Sequence, residues 1–443
     1  MLMPSQTLSI YSSKTSPRLY YVLGEIFERI LGLKISLITD LETFTGIETP
    51  KLSYGQFINK NCPYIAASGL LFEKGILSTE VKVIDHQGIK ALFPVEQDAN
   101  SCLPYDPLSA VFYMLSRYEE YIPFQTDHHG RFSATLSLAY KHDFLKQPVV
   151  QLWVAHIAEV LLNYYPDLQF KKNNYTFQAT FDIDVAYAFK NRSLKWQLLS
   201  MGKDIFELKF QQFVMRCLVL IGFVKDPFDT YEELLSILQT NQISSTFFFQ
   251  CGKYAGKEDK SLLSSSPFWN KFIASISKVA DIGLHPSYSS NYHQAHFEKE
   301  LALYSSIAEA PAKISRQHFL KLRFPQTYRN LVYYGIEHDY TMGYADACGF
   351  RAGTSLPFYF YDLNLETVSN LLVHPFVMMD GTLKDYLKLN QSEALEVFQY
   401  YKSTLKEVGG EMMILCHNHT FSDDGAWKGW KETFMNMLKE GKA

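Results

Sequence analysis

Short apolar runs alternate with helix-type stretches over the second half of the chain, from residue 175 onward. Between the runs, apolar residues recur every three or four positions, as over 267–276 and after residue 230, where a Thr-x-x-Glu capping box opens the stretch. This alternation predicts an α/β fold with a mostly parallel sheet, either open or closed into a barrel. Strands are expected at 177–181, 244–250, 279–284, 314–319, 371–379 and 411–415, and a helical insertion at 190–225.

The first part of the chain contains apolar residues with helix-type spacing and others with strand-type spacing. This predicts a smaller α/β domain. Helix-type or strand-type spacing is found at 20–31, 34–39, 80–84 and 110–120. Residues 166–174 are polar and rich in turn formers, which favours a domain boundary there. We therefore expect an N-terminal domain of unknown function at 1–165 and a second domain at 175–443.

Size and composition narrow the class of protein. A chain of 443 residues exceeds what one hydrophobic core usually supports, which agrees with two domains. The formal net charge of -4 and the lack of a basic stripe argue against a general nucleic-acid binder. The longest apolar run, 214–224, contains Arg216 and is too short to span a bilayer. With no secretory signal pattern and no Cys-x-x-Cys pair among six cysteines, we expect a cytoplasmic protein.

Two aspartates, Asp182 and Asp184, close the first strand of the second domain. Residues two apart on a strand point to the same face, so both carboxylates are expected to emerge together. A metal ion bound to one of them would reduce the repulsion between the two negative charges and leave the other carboxylate as a base. The alternative is structural: one aspartate caps the next helix and the other is solvated.

Other predicted strands also end in residues that bind metals or move protons. His285 follows the third strand, Arg316 and His318 share a face of the fourth, and His417 closes the last. A single histidine at a strand end is usually structural. Four strand ends that all carry Asp, His or Arg favour a metal-assisted hydrolase, because they supply ligands, a carboxylate base and a histidine acid.

These segments resemble the successive motifs of the polysaccharide deacetylase family, also called the NodB-homology family or carbohydrate esterase family four. The resemblance covers the chain from about residue 175 to the C-terminus. It rests on Phe181-Asp-Ile-Asp184, Ser245-Thr-Phe-Phe-Phe249, Ile282-Gly-Leu-His285-Pro-Ser and Leu415-Cys-His417-Asn. Segments 339–344 and 349–354 resemble family variants with an extra N-terminal domain, and 106–120 with 127–131 resembles that domain.

The resemblance implies a distorted (β/α) barrel. It also implies an enzyme that uses a divalent metal, expected to be zinc, to remove N-acetyl groups from an amino-sugar polymer or oligosaccharide. Carried over by position, Asp182 corresponds to the catalytic base and Asp184 to the metal-binding aspartate. His285 corresponds to the first metal-binding histidine and His417 to the general acid. Arg316 falls where the family has an arginine that orients the base.

One position departs from the family pattern. The family's second metal histidine lies four residues after the first, where this chain has Ser289, a poor zinc ligand. His318 could supply the third ligand, water could fill the gap, or the metal site is lost. The chain could then be a weak or inactive module that binds a glycan or a protein, or a hydrolase of another C–N bond such as that of a ureide or cyclic amide. Substrate contacts are expected from Tyr288, Ser289, Arg351 and His419.

Overall fold

The computed structural model of the chain describes residues 6–78, 80–95, 98–191, 194–252, 258–259 and 266–442. The chain packs as two compact units. Unit 1 comprises Met1–Thr176, Phe319–Met378 and Tyr400–Met413, and unit 2 comprises Phe177–His318, Met379–Gln399 and Ile414–Ala443. Two later segments thus pack with the N-terminal part of the chain. The division into domains at 1–165 and 175–443 stays a prediction.

The N-terminal part of unit 1 contains both helices and strands, as the helix-type and strand-type spacing of its apolar residues predicts. Strands β1, β2, β3 and β4 form a parallel sheet in the order β2-β1-β3-β4, while β5 and β6 pair antiparallel. The elements are β1 Thr7–Tyr11, α1 Pro17–Leu23, β2 Lys34–Ile38, α2 Leu41–Thr45, β3 Lys51–Tyr54, β4 Tyr64–Ile65, β5 Val83–His86, β6 Ile89–Leu92, α3 Pro107–Leu115, α4 Leu138–Lys141 and α5 Val149–Tyr164.

Unit 2 begins with strands and helices in alternation. These elements are β7 Thr176–Ile183, α6 Leu194–Phe206, α7 Phe210–Leu220, α8 Tyr231–Thr240, β8 Ser244–Phe249, α9 Pro267–Ile276, β9 Asp281–Leu284, α10 Gln294–Ala308 and β10 Ile314–Ser315. Strand β8 lies between β7 and β9 and is parallel to both, and β9 is also parallel to β10. The α/β class with mostly parallel strands is confirmed. Closure into a barrel stays a prediction.

The rest of the chain completes both units. Its elements are α11 Gln326–Tyr333, β11 His338–Asp339, β12 Phe358–Asp362 and β13 Thr367–Val373 in unit 1, followed by β14 Met378–Met379, α12 Gln391–Val408, β15 Glu411–His417 and α13 Lys431–Gly441. β15 lies next to β7, and β14 is the neighbour of β15. No helix in the described ranges is both long and apolar enough to cross a bilayer.

Three local predictions are wrong. The expected strand 314–319 stops at Ser315, because a 3₁₀ turn begins at His318. The expected strand 371–379 is two strands, β13 and β14. The capping box at Thr230 is not formed, since the residue has a ψ of 0° rather than an extended conformation. Its hydroxyl instead donates to the carbonyl oxygen of Asn418 at 3.4 Å.

The register of the parallel strands aligns their carboxyl ends. Ile183 lies opposite Phe249, Phe249 opposite Leu284, and Leu284 opposite Ser315. The next residue of each strand therefore leaves the sheet at the same edge. These four residues are Asp184, Gln250, His285 and Arg316.

Gly283 in β9 lies against the ring of Phe248 in β8. A Cβ atom at this position would come within 2.8 Å of the ring and 3.1 Å of Ile314. The same ring covers the Arg316 guanidinium, whose central carbon lies 4.4 Å from the ring centroid. A side chain at position 283 would therefore disturb both the packing and the arginine.

We predict that Gly283→Ala lowers the free energy of unfolding by about 1–3 kcal/mol, as expected for overpacking in a core. The measurement is urea unfolding at equilibrium. The control is Gly202→Ala in α6, where an added Cβ meets no atom within 4 Å. This control should be neutral or slightly stabilising, because alanine is the better helix former. Equal midpoints for both variants would contradict the close contact at Gly283.

Candidate functional site

Three predicted ligands meet at the carboxyl edge of the parallel strands in unit 2. Asp184 Oδ1 lies 3.2 Å from His285 Nε2, and Asp184 Oδ2 lies 3.5 Å from His318 Nε2. One ligand atom from each of the three residues falls within 4.8 Å of the others. Two donor atoms bound tetrahedrally to one ion at 2.0–2.1 Å would be about 3.3 Å apart. The arrangement therefore fits a metal ion.

The tautomer of His285 turns a lone pair toward this centre. Its Nδ1 lies 2.5 Å from the carbonyl oxygen of Arg316 and must donate, because a carbonyl only accepts. When the ring is neutral, Nε2 is therefore the nitrogen without a proton. Both this Nε2 and Asp184 Oδ1 are buried with no hydrogen-bond partner among the described residues. Buried acceptors without a donor are costly, and a bound cation would satisfy both.

Asp259 holds His318. Its Oδ1 lies 2.9 Å from His318 Nδ1, and it also accepts hydrogen bonds from the backbone N–H groups of Tyr288 and Ser289. Burial disfavours the charged imidazole, but the charge of Asp184 and the bond to Asp259 outweigh it and raise the pKa of His318 to about 9. A carboxylate on the far nitrogen is the usual partner of a metal-binding histidine, because it orients the ring.

Asp182 lies beside this centre and is held by an arginine. Its Oδ1 accepts a hydrogen bond of 3.0 Å from Arg316 Nη1, and its Oδ2 lies 3.6 Å from His285 Nε2. The Arg316 guanidinium is completely buried. The arginine thus fixes one oxygen of Asp182 and leaves the other directed at the centre.

His417 approaches the centre from β15. Its Nε2 lies 3.6 Å from Asp184 Oδ2, while its Nδ1 lies 2.8 Å from Asp380 Oδ1. Asp380 also accepts hydrogen bonds from the His417 backbone N–H and from the Thr420 hydroxyl. Burial lowers the pKa of His417, but the charges of Asp380 and Asp184 raise it overall to about 10. The imidazole is therefore a proton donor at neutral pH.

Two of the expected substrate contacts lie close to the centre. Ser289 has its hydroxyl between Ser287 Oγ at 3.1 Å and His296 Nδ1 at 3.3 Å. His419 is half-buried, with its ring centroid 5.2 Å from that of His417. Burial and the charge of His417 lower the pKa of His419 to about 4, so its ring is neutral. Tyr288 is also half-buried, on the loop that Asp259 holds.

The expectation that Arg351 binds substrate is wrong. Arg351 belongs to unit 1 and is 3% exposed. Its Nε and Nη2 donate to the carboxylate of Glu120, and its Nη1 donates to the carbonyl oxygen of Gly343. The guanidinium is therefore fully used within the core of its own unit.

Gln250 is a further polar residue at the carboxyl edge of the parallel strands, and the sequence analysis does not predict it. It directly follows β8, so its backbone position lies between those of Asp184 and His285. The side chain is 0% exposed. Both amide atoms lack a hydrogen-bond partner among the described residues. Burying an amide without hydrogen bonds costs free energy, unless a water or a ligand forms those bonds.

Sequence reasoning misses Asp259 and Gln250 as members of the site and makes Asp380 only a weak candidate. Asp380 follows an apolar run, which is a signal, but its partner His417 is 37 residues away. Gln250 could have been found by extending the register of β7 to the next strand. Asp259 lies away from every predicted strand end, and no sequence signal marks it.

Comparison with known proteins gives a match for the N-terminal part of the chain. Residues 8–166 match the model of a family of unknown function, DUF7033. This match covers much less than half of the chain and ends where the first domain is expected to end. No curated protein matches the chain.

Several solved structures are similar to part of the chain. A Mycobacterium smegmatis protein assigned as a polysaccharide deacetylase has 14% identity and a TM-score of 0.38, covering 61% of this chain and 86% of its own. The PuuE allantoinase has 10% identity and a TM-score of 0.36, with coverages of 61% and 84%. The family 4 carbohydrate esterase of Streptomyces lividans, in complex with acetate, has 10% identity and a TM-score of 0.28, with coverages of 61% and 88%.

We predict that Asp259→Asn lowers the affinity of unit 2 for zinc by roughly 10–100-fold, because the amide no longer fixes the His318 ring. Zinc titration of the chelator-treated full chain would measure this. The control is Asp281→Asn, which changes an exposed aspartate at the start of β9. Equal affinities in the two variants would show that Asp259 does not support the ligand.

Proposed function

We propose that this chain is a metal-dependent hydrolase of the polysaccharide deacetylase type, removing N-acetyl groups from an amino-sugar polymer or oligosaccharide. One observation carries the proposal. Asp184 Oδ1 and His285 Nε2 lie 3.2 Å apart, buried and without hydrogen-bond partners among the described residues. The paired groups Asp182–Arg316 and His417–Asp380 flank them.

Asp184, His285 and His318 would hold the ion, and we infer zinc from this donor set of one carboxylate and two imidazoles. Catalytic zinc sites commonly have three such ligands and an open position. When bound, the ion supplies Lewis acidity toward the acetamide carbonyl and makes water a stronger acid. His318 takes the place that Ser289 leaves empty in the family pattern, which argues against loss of the site.

Asp182 is suited to accept a proton from water. One of its oxygens is occupied by Arg316 and the other faces the centre. Arg316 is a permanent cation, and its hydrogen bond holds this carboxylate in place. A base fixed at one oxygen also presents the other in a constant direction, which contributes to the rate through orientation.

His417 is suited to donate a proton to the departing sugar amine. Its raised pKa keeps it protonated at neutral pH. Asp380 fixes the Nδ1–H, so the proton that can be transferred is on Nε2, which faces Asp184. An amine leaves poorly as an anion, so a proton donor at this position is needed for amide cleavage.

We predict that Asp182→Asn lowers the deacetylation rate of an N-acetylated chito-oligosaccharide by roughly 10²–10⁴-fold while zinc content stays near one per chain. Asp184→Asn should lower both, because this carboxylate is a ligand. Elemental analysis and an acetate-release assay provide the two measurements. Loss of zinc in both variants to the same extent would contradict the division of roles.

Substrate class is tested with the same protein. The zinc-loaded chain is assayed in parallel on the oligosaccharide, on a linear ureide and on a cyclic ureide. Acetate release without ureide cleavage supports the proposal. Ureide cleavage alone would replace it with hydrolysis of another C–N bond, and near-stoichiometric zinc with no turnover of any substrate would favour a binding module.

We predict that Gln250→Met stabilises the metal-free protein by about 1–3 kcal/mol, because methionine fills a similar volume without unpaired amide atoms. It should lower the deacetylation rate at unchanged zinc content, since the amide is placed to bind substrate or water. Thermal unfolding and the acetate-release assay test these effects together. Wild-type activity in this variant would show that the Gln250 amide does not contribute to the reaction.

A further inference from the structure

The insertion after β7 forms a helical hairpin with an apolar outer surface. We call the segment 190–225 the basic hairpin; its described residues, 190–191 and 194–225, contain α6 and α7. Its most exposed apolar side chains are Phe206 at 88%, Phe223 at 81% and Leu208 at 74%. Further exposed apolar side chains of the hairpin are Leu198, Leu199, Ile205, Phe210, Val214, Met215, Leu220, Ile221 and Val224. Monomeric soluble proteins rarely expose so many neighbouring apolar groups.

The inner side of the hairpin is polar. Asp204 of α6 accepts a hydrogen bond of 2.8 Å from Arg216 Nε of α7, and both residues are buried. The Arg216 guanidinium also lies over the ring of Phe189, 4.7 Å from its centroid. The two helices are therefore joined by a buried ion pair. Val219 of α7 is also buried, but most of the other apolar side chains of the hairpin are exposed. An ordinary surface hairpin buries most of its apolar stripe.

The charge of the basic hairpin is opposite to that of the whole chain. Residues 190–225 contain seven Lys and Arg against two Asp and Glu, whereas the chain has a formal net charge of -4. Lys203 and Lys209 are exposed close to Phe206 and Leu208 in the sequence, and both pair with the exposed Glu207, at 3.6 Å and 2.7 Å. Such exposed pairs are weak, so both lysines can also meet an anionic surface. A surface with apolar groups among an excess of lysines matches anionic headgroups above acyl chains.

We propose that the basic hairpin binds the surface of an anionic lipid bilayer. α6 has 13 residues and α7 has 11, so neither can cross a bilayer, which takes about 20. Phe206, Leu208 and Phe223 enter the boundary between headgroups and acyl chains, and the lysines pair with anionic headgroups. The inference is independent of the reaction at the metal site.

A second copy of the chain fits the hairpin less well. A two-fold symmetric contact would place the same surface on both sides. Two hairpins with an excess of Lys and Arg would then face each other across an apolar contact, and their like charges would repel. An anionic bilayer satisfies the apolar groups and the lysines together.

The test is sedimentation of the purified full chain with sucrose-loaded vesicles. One set contains phosphatidylcholine alone, and the other contains phosphatidylcholine with 30% phosphatidylserine, roughly the regime in which polybasic segments are attracted. We expect at least roughly tenfold stronger binding to the anionic set at 0.1 M salt. The preference should shrink at 1 M salt, where the screening length falls to about 3 Å.

Two double variants separate the contributions. Phe206→Ser with Phe223→Ser should lower binding to anionic vesicles by roughly tenfold or more, because two large apolar groups no longer enter the bilayer. Lys203→Gln with Lys209→Gln should lower the preference for anionic vesicles by roughly tenfold, since each lysine near the surface contributes about 1 kcal/mol. The matched control is Tyr333→Ser with Leu365→Ser, which changes two apolar residues of unit 1 that are 78% and 62% exposed. Thermal unfolding checks that all variants are folded.

Other outcomes would overturn the proposal. Equal binding to both vesicle sets would remove the role of charge. Equal loss of binding in the unit 1 control would show that the hairpin is not the contact. Light scattering coupled to size exclusion tests the other occupant: a dimer that becomes a monomer in the Phe206 and Phe223 variant, without vesicle binding, would make the surface an interface between copies.

Discussion

The candidate site depends on the carboxylate of Asp184, which lies half-buried among three imidazoles. Removing a carboxylate from water costs several kcal/mol unless opposite charge compensates it. In the metal-free protein, the charge of His318 is the largest influence that holds the pKa of Asp184 well below its usual value, against the effect of burial. A bound cation would provide the same compensation and release protons from the histidines. Folding and metal binding are therefore coupled through this one group.

Two more carboxylates determine which nitrogens face Asp184. Asp259 takes the Nδ1–H of His318, and Asp380 takes the Nδ1–H of His417. The two pairs are built alike, yet the side chain of His318 is 6% exposed and that of His417 is 18% exposed. A more accessible imidazole can exchange its proton with solvent and substrate, and an enclosed one is better suited to hold an ion. Position, rather than the type of partner, would then separate the proposed ligand, His318, from the proposed acid, His417.

Much of this arrangement is predictable from the sequence, because strands have simple geometry. A period of two puts Asp182 and Asp184 on one face, and parallel strands bring their ends to one edge, which accounts for His285 and His417. Contacts that depend on loops are not predictable in this way. Asp259 reaches His318 from a segment with no periodic pattern. Arg351 lies in a motif-like segment, but it pairs with Glu120, 231 residues away, so only the packed structure excludes it from the site.

If His318 is the third ligand, the loop after His285 does not have to supply one. With His318 as the ligand, Ser289 need not contact the ion, and other residues hold the loop. The buried carboxylate of Glu300 accepts hydrogen bonds from the backbone N–H and the hydroxyl of Ser287. Asp259 accepts hydrogen bonds from the backbone N–H groups of Tyr288 and Ser289. Asp259 thus holds both the third ligand and the loop. The loop is thus held through backbone N–H groups and through the Ser287 hydroxyl, and it keeps its course without Ser289 as a ligand.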